Sequence, residues 1–458
     1  MYKWVVSCFI YLFYQKIRSL LTNFKNHISN NFPALKGKKI LIACSGGLDS
    51  VMLSKLFKEL NFNISLAHCN FSLRGKESDE DEKFVISLAD TLSIPVFNKK
   101  FNTKTYKAKH KLSTQVAARK LRYQWFDEIC TEHSFDCLAT AHHLDDDLET
   151  FLINLSRGTG LRGLTGIPVM NKKIIRPFLN FPRAEILRYA KEKNSDWRED
   201  SSNQTTDYLR NKLRIEVIPR LKEVDLNLLT GFQQTQNHLN ESLSLVNDYM
   251  TLIKKTVVNK TEDGFEIDVL KLQDLPNTNA LLYELLAPFG FTAWDDISDL
   301  LAAQSGKQIV SKSHRIVKNR TSLLLVENNL VHKEEIYLIK ESDRLIDRPI
   351  QLKIEAVEKT SDYISSIAYV DAQKLKFPLE LRKWKEGDSF YPFGMIGKKK
   401  LSKFFKDEKL SLVAKEKIWI LTSGAHIVWI VGMRADHRFK VESQTKNILK
   451  ITFHKNNL

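Results

Sequence analysis

Cysteine is scarce in this 458-residue chain: there are five, at Cys8, Cys44, Cys69, Cys130 and Cys137, and no two form a Cys-x-x-Cys pair. That scatter argues against a disulfide framework, a structural zinc site and an iron–sulfur cluster, and it fits a reducing, cytoplasmic setting. Long apolar runs are also missing. Trp4 to Tyr14 is strongly apolar, yet it falls far short of the ~20 residues a membrane helix needs, and no clear small-residue cleavage site follows it. Residues 1–17 read as an additional helix or an upstream start without catalytic meaning, and no membrane partner is expected. Internal repeats and low-complexity tracts are absent. So is the Gly-x-x-x-x-Gly-Lys-Ser/Thr pattern of a Walker phosphate loop.

What is present is length, core and positive charge. The chain is long enough for two or three domains. With 43% hydrophobic and 27% charged residues it has the composition of a soluble, well-cored protein. Lys and Arg number 70 against 54 Asp and Glu, a net charge of +16. That excess suits a polyanionic partner, most simply a nucleic acid. A lysine-rich surface serving solubility is the plainer reading.

The stretch from Lys38 to Ser50 organises the rest. Residues 40–44 form a short apolar run, read as a buried strand. Ser45-Gly46-Gly47 breaks it, and Leu53, Leu56, Phe57 and Leu60 then recur at helical spacing. Strand, Gly-rich turn and helix in that order can hold a phosphate through backbone N–H groups and the helix dipole, with Ser45 and Ser50 adding hydroxyls. A carboxylate beside phosphates repels them unless Mg²⁺ lies between, which singles out Asp49; helix capping is its bland alternative.

Further along, strands are expected over 64–70, 96–101 and 136–141. Helices are expected over 84–92, 113–133 and 145–155, with 71–82 as a charged loop. The alternation implies a parallel sheet with helices on both faces and ligands at the strand carboxyl ends, where Ser45, His68, Asn70, His142 and His143 fall. Asp145, Asp146 and Glu149 could share one face of a helix start. Asp146-x-x-Glu149 could equally be a capping box, and the His- and Asp-rich turn a hydrolase metal site. Ser156 to Leu164, with three glycines and two arginines, reads as a phosphate- or RNA-contacting loop or a plain connection. Residues 221–258 and 280–303 suggest helices, 309–326 strands, and 347–363 a linker into a strand-rich end. There Lys398, Lys399, Lys400, Lys403, Lys406 and Lys409 interleave with Phe404 and Phe405. This is the composition of a phosphate-tracking surface with an aromatic anchor, or of a solvated basic face.

Ser45-Gly46-Gly47-x-Asp49-Ser50 resembles the signature of the PP-loop ATP pyrophosphatases. Several further strings resemble the tRNA(Ile)-lysidine synthase family in order and spacing over residues 38–220. They are His68-Cys69-Asn70-Phe71-x-Leu73-Arg74-Gly75-x-Glu77-Ser78, Ala118-Arg119-x-x-Arg122-Tyr123, Ala141-His142-His143-x-Asp145-Asp146-x-x-Glu149-Thr150, Ser156-Arg157-Gly158-x-Gly160, Glu199-Asp200-Ser201-Ser202-Asn203 and Tyr208-x-Arg210-Asn211-x-x-Arg214. The resemblance implies an α/β fold: an N-terminal parallel-sheet PP-loop domain (1–220), a mainly helical substrate-binding domain (221–347) and a small strand-rich, basic tRNA-binding domain (364–458). It implies ATP-dependent ligation of free L-lysine to carbon 2 of the wobble cytidine of the CAU-anticodon isoleucine tRNA through an adenylated tRNA, with Mg²⁺. Ser45, Gly46, Gly47, Leu48, Asp49 and Ser50 would bind ATP, with the metal at Asp49. Asp49, Asp146, Glu149 and Arg122 would be catalytic, with Asp146 or Glu149 taking lysine's proton. Arg119, Arg122, His142, Arg157, Arg210, Arg214, Lys398, Lys399, Lys400 and Lys403 would meet tRNA. A PP-loop tRNA thiolase is the alternative, disfavoured by the unpaired cysteines; a small-molecule amidating ligase and a non-catalytic RNA-binding module are weaker still. A homodimer is left open.

Overall fold

The computed structural model describes residues 20–199, 209–328 and 336–454. The expectation for residues 1–17, and the strings that use residues 200–208, lie outside the described residues. The chain forms two compact units, Met1–Val246 and Asn247–Leu458.

The first unit is built on a six-stranded sheet of order β3-β2-β1-β4-β6-β5. Its strands are β1 (Lys39–Ala43), β2 (Asn63–Asn70), β3 (Val96–Lys100), β4 (Cys137–Ala139), β5 (Met170–Asn171) and β6 (Ile174–Ile175). Five run parallel and β5 is antiparallel to β6. β1 is apolar throughout its middle because both its faces are covered. Ile40 and Ile42 pack with α1 (Leu20–Asn31) and α2 (Leu48–Glu59), among Phe24, Phe57 and Phe178. Leu41 points the other way, into Trp125, Phe126 and Ile129 of α4 (Thr114–Glu132). From β1 the chain winds to β2 and β3 on one side, and β4 lies on the other. The carboxyl ends of β1 and β4 therefore flank a topological switch point, where open α/β sheets take their ligands.

Three local expectations differ from the structure. The charged stretch read as loop is helical from Lys76, in α3 (Lys76–Leu92). Its acidic first turn (Glu77, Asp79) suits a helix N-terminus, and Arg74 ties back to Glu77 at 2.9 Å and Asp81 at 2.8 Å. The fourth strand stops at Ala139, which releases Thr140 to His143 into the site. The linker expected over 347–363 holds the strand Gln351–Val357, fully paired with the last strand of the chain; alternate burial of Leu352 and Ile354 explains the pairing.

The rest of the first unit places the site. α5 (Leu144–Ser156) follows β4, α6 (Arg183–Glu192) packs near α2, and α7 (Ile218–Val224) precedes the long helix α8 (Leu228–Val257). The second unit is sheet-rich. β7 (Val258–Thr261), β8 (Gly264–Asp268), β9 (Gln308–Val310), β10 (His314–Asn319) and β11 (Ser322–Glu327) form an antiparallel sheet, with short helices Thr278–Leu286 and Trp294–Asp299 between β8 and β9. β12 (Tyr337–Ile339), β13 (Leu345–Ile346), β14 (Gln351–Val357), β15 (Ile367–Asp371), β16 (Leu379–Lys383), β17 (Ser389–Phe390), β18 (Lys399–Lys400), β19 (Trp419–Ser423), β20 (His426–Ile430), β21 (Arg434–Ala435) and β22 (Ile448–His454) build two more sheets and a hairpin. The larger two share a core around Leu352, Leu381, Trp429 and Ile451.

Helix α1, which the sequence reading did not single out, is part of the first core. Phe24 is fully buried, with ring centroids of Phe57 and Phe178 at 5.3 and 5.4 Å. Phe24→Ala is expected to cost about 3–5 kcal/mol of stability, measured by urea denaturation. A loss below about 1 kcal/mol would make α1 peripheral to the core.

Candidate active site

After Ala43 the chain continues the sheet ladder for one residue, Cys44 N–H donating to Ala67 O at 2.9 Å. It then turns. Ser50 Oγ fixes the turn by donating to Gly47 O (3.0 Å) and accepting from Ser45 N–H (3.2 Å), with Ser45 Oγ 3.3 Å away. Gly46 has φ +88°, and a Cβ there would touch Phe84 and Val85 of α3 at 3.4 Å. Glycine thus serves both conformation and close approach. Gly47 caps α2, whose first N–H groups have no intrahelical acceptor.

Asp49 stands in the first turn of α2. Its Oδ1 is buried without a hydrogen-bond partner, and its Oδ2 lies 3.6 Å from His143 Nε2 and 3.9 Å from Arg183 Nε. Burial pushes its carboxyl up, against the pull of His143 and Arg183. A lone carboxylate with one unpaired oxygen at a phosphate turn fits Mg²⁺, which takes one or two protein carboxylates and completes its shell with phosphates and water. Among the described residues no group of three or more His, Cys, Asp or Glu is arranged to hold a metal.

His143 joins this side to the next. It caps α5, its Nδ1 accepting from Asp146 N–H (3.3 Å) while Asp146 Oδ2 accepts from His143 N–H (3.0 Å). The capping box is therefore His143 with Asp146, and Glu149 has no capping role. Glu149 is 1% exposed and bound by Arg214, whose Nε reaches Oε1 at 2.6 Å and whose second nitrogen reaches Oε2 at 2.9 Å. The same nitrogen donates to Asp146 Oδ1 at 2.9 Å. Burial pushes the Glu149 carboxyl up, and Arg214 opposes it. Asp145, one turn ahead of Glu149 on the same helix, is held by other partners. Asp145 accepts from Arg183 N–H at 2.8 Å and pairs with Lys222, anchors that outweigh burial and hold it below the usual carboxylate range.

A cavity of about 770 Å³ opens over these groups. Ser45, Gly47, Leu48, Asp49, Ser50, Arg122, His142, Asp146, Arg210 and Arg214 line it; Gly46, Arg119, Glu149 and Arg157 do not. Arg122 sits over the Phe71 ring at 5.2 Å, whereas Arg119 stacks on Tyr123 at 4.8 Å. His142 Nδ1 bonds Thr140 Oγ1 at 2.9 Å, and its pKa is pushed down to about 4, chiefly by burial, so its ring is neutral at pH 7. Arg210 donates to Thr150 Oγ1 at 3.0 Å. Arg157 ends α5, exposed.

The sequence reading placed His143 at a strand end without giving it a role, and it missed Arg183 together with the wall formed by Arg74, Asp81 and Arg198. Asp81, 6% exposed, accepts from Arg74 (2.8 Å) and from Arg198 Nε (3.1 Å), and Arg198 N–H donates to Gly46 O at 2.9 Å. No spacing in the sequence announces that contact; only the Arg74 string pointed near it. In the second unit Lys398, Lys400 and Lys403 are exposed, while Lys399 pairs with Asp407 at 2.8 Å. The aromatic anchor expected at Phe404 and Phe405 is overturned. They are 4% and 0% exposed, because helix Leu401–Asp407 turns them into a core with Phe390 and Ile420.

Three family patterns match the chain: a PP-loop domain over residues 17–221, a TilS substrate binding domain over 260–328 and a TilS substrate C-terminal domain over 379–452. It is 40% identical over 421 residues to a tRNA(Ile)-lysidine synthase of Bacteroides thetaiotaomicron, covering 91% of this chain and 95% of that protein. A second, from Parabacteroides distasonis, is 39% identical over 423 residues with the same coverage. Among solved structures, the U34-tRNA thiolase NcsA from Methanococcus maripaludis superposes with a TM-score of 0.39 at 17% identity, over 47% of this chain and 80% of that one.

One carboxylate beside the site is placed for a direct test. Asp147 Oδ1 accepts from Ile167 N–H at 2.5 Å, next to Gly166, where a Cβ would collide with that oxygen. Burial pushes its pKa up to about 6, against about 3.9 unfolded. The folded state then holds the proton more tightly, so this group's contribution falls as pH rises from about 4 to about 6 and is flat above. Asp147→Asn should gain on the parent by about 2–3 kcal/mol across that window. Urea denaturation at stepped pH checks it; a constant difference between the two proteins would refute the shift.

Proposed function

The chain belongs to the tRNA(Ile)-lysidine synthase family, and we propose that it joins free L-lysine to carbon 2 of the wobble cytidine of the CAU-anticodon isoleucine tRNA. The products are lysidine, AMP and pyrophosphate. One observation carries the reading: a phosphate turn with a half-buried carboxylate, one oxygen of which has no partner, shares a cavity with Asp146, which together with Glu149 already holds a cation, Arg214. His143 lies between them, 3.6 Å from Asp49 and 3.5 Å from Asp146.

The oxygen on carbon 2 of cytosine is a poor leaving group and must first be adenylated. In this reading Ser45, Gly46, Gly47, Leu48 and Ser50 hold the phosphates through the turn and the head of α2. Asp49 would hold Mg²⁺, which would supply positive charge against the phosphates. Lysine's amine, with a free pKa of ~10.4, then attacks carbon 2, the carbon–oxygen bond to AMP breaks, and the amine's proton passes to Asp146 or Glu149. Arg122 and the neutral His142 orient the nucleotide. Arg119, Arg157, Arg210 and Arg214 meet RNA, as do Lys398, Lys399, Lys400 and Lys403. Residues 1–220 catalyse, and residues 221–347 and 364–458 bind the tRNA, in a chain acting alone or as a homodimer. A thiolase reading is weaker. Sulfur transfer needs a reactive thiolate, and burial pushes Cys69 and Cys137 up to about 12 and raises Cys44 and Cys130 as well.

Mass analysis of nucleosides after incubation with tRNA, ATP and labelled lysine tests the reaction. Lysine label in a modified cytidine is expected, with AMP and pyrophosphate in equal amounts; sulfur without lysine would establish the thiolase. In the same assay Asp49→Ala should stop AMP formation while tRNA affinity holds. AMP formed at the parental rate would leave Asp49 a helix residue only.

Glu149→Gln should fold normally and slow the second step. Adenylated tRNA then accumulates in a single-turnover quench, with AMP release lagging pyrophosphate release. Raising the pH should restore part of the rate, because more lysine enters as free amine. Asp146→Asn and the double variant complete the series. AMP and pyrophosphate released together at parental rates by all three would place the base elsewhere.

A further inference from the structure

With Phe404 and Phe405 in the core, the basic end of the chain still presents aromatic surface, in a place the sequence did not mark. β17 and β18 pair as a hairpin through Ser389 with Lys400 and Phe390 with Lys399, and residues 391–398 form its tip. The tip is held in place. Phe393 N–H donates to Ala435 O at 3.0 Å, Met395 N–H donates to Pro392 O at 3.0 Å, and Gly394 and Gly397 take φ +82° and +104°. On it Ile396 is fully exposed and Met395 is 49% exposed. Against it stands Tyr363, 55% exposed, its ring nearly parallel to Phe393 with centroids 5.3 Å apart and planes 20° apart. Tyr369 supports Tyr363 edge-on at 5.5 Å.

An isoleucine in full exposure buries nothing within this unit, and a hairpin turn needs none at its apex. Their surroundings point to the occupant. The sequence from Gly397 to Lys409 carries six lysines against Asp407 and Glu408. Lys398, Lys400, Lys403, Lys406 and Lys409 are exposed. A flat aromatic stack on the hairpin tip that carries Ile396, with Lys398 and Lys400 exposed along the same hairpin, suits the π-face of a nucleobase next to phosphates. We propose that the Tyr363–Phe393 stack and the Ile396 tip form a platform for an exposed nucleobase face of the tRNA, at a helix end or an unpaired nucleotide. The platform supplies stacking, and the lysines supply phosphate contact. The inference rests on the tRNA reading above and adds a subsite to it.

The test uses the full chain and the CAU-anticodon isoleucine tRNA, with affinity measured by fluorescence anisotropy across a potassium chloride series. Tyr363→Ala should weaken binding roughly five- to hundredfold, the range of one base–aromatic stack, without changing the slope of log affinity against log salt. Tyr363→Phe should bind within about twofold of the parent, and Ile396→Ser, fully exposed and harmless to folding, should also weaken binding. The Lys398, Lys400 and Lys403 to Gln triple variant should instead flatten the slope, by roughly 0.7–0.9 for each phosphate it no longer neutralises. Parental affinity in both Tyr363→Ala and Ile396→Ser overturns the platform while the parent's salt-dependent binding keeps the tRNA reading. Equal weakening in Tyr363→Phe and Tyr363→Ala overturns stacking. A change of oligomeric state in sedimentation, with tRNA affinity intact, assigns the tip to a second copy of the chain and overturns the proposal. A parent that binds no tRNA removes the underlying reading along with it.

Discussion

The site depends on one electrostatic constraint: four carboxylates crowd the start of a single helix, and each needs a partner from elsewhere. Asp145, Asp146, Asp147 and Glu149 all sit in the first turns of α5, largely out of solvent. Carboxylates in such positions are costly unless each is bonded. The partners come from separate parts of the chain. Lys222 and Arg183 N–H hold Asp145, His143 and Arg214 hold Asp146, Ile167 N–H holds Asp147, and Arg214 holds Glu149. Satisfying them draws α6, α7, the Gly166 turn and the Arg210–Arg214 segment around the carboxyl end of β4. Arg214 lies in a π-helical segment, Leu213–Val217, a form that often marks functional positions.

Asp49 is the exception in this balance, and the exception is informative. Each carboxylate at the head of α5 has a direct donor, whereas one oxygen of Asp49 is buried with none. Its neighbours His143 and Arg183 stand at 3.6 and 3.9 Å, beyond good hydrogen-bond distance. A cation arriving with its phosphates would complete this coordination, so the same physics that anchors four carboxylates leaves the fifth open. The sheet supplies the rigidity this requires. β1 is buried on both faces and feeds directly into the turn, which Ser50 closes from within.

Some of this was legible in the sequence. The strand, glycine turn and helix around Ser45 to Ser50 could be read from composition and period alone, because those features are local: an apolar run, a pair of glycines that break it, a 3.6-residue repeat after them. The parallel sheet followed from alternation of strands and helices. The strings carrying Asp146, Glu149, Arg210 and Arg214 pointed to the acidic helix and its basic counterpart, although the two lie far apart in sequence.

Tertiary structure decided what local pattern leaves degenerate. Asp145 and Asp146 are neighbours of the same type, and only the positions of Lys222 and Arg183 turn one into an anchor and leave the other lining the cavity. Phe404 and Phe405 sit among lysines just as an exposed aromatic anchor would in sequence, yet the helix that carries them buries both, and Tyr363, well upstream, takes the surface instead. The linker became a strand because its alternating apolar residues found β22, at the far end of the second unit. In each case the sequence specifies what a residue can do, while burial and partner are set by chain segments that no local window contains.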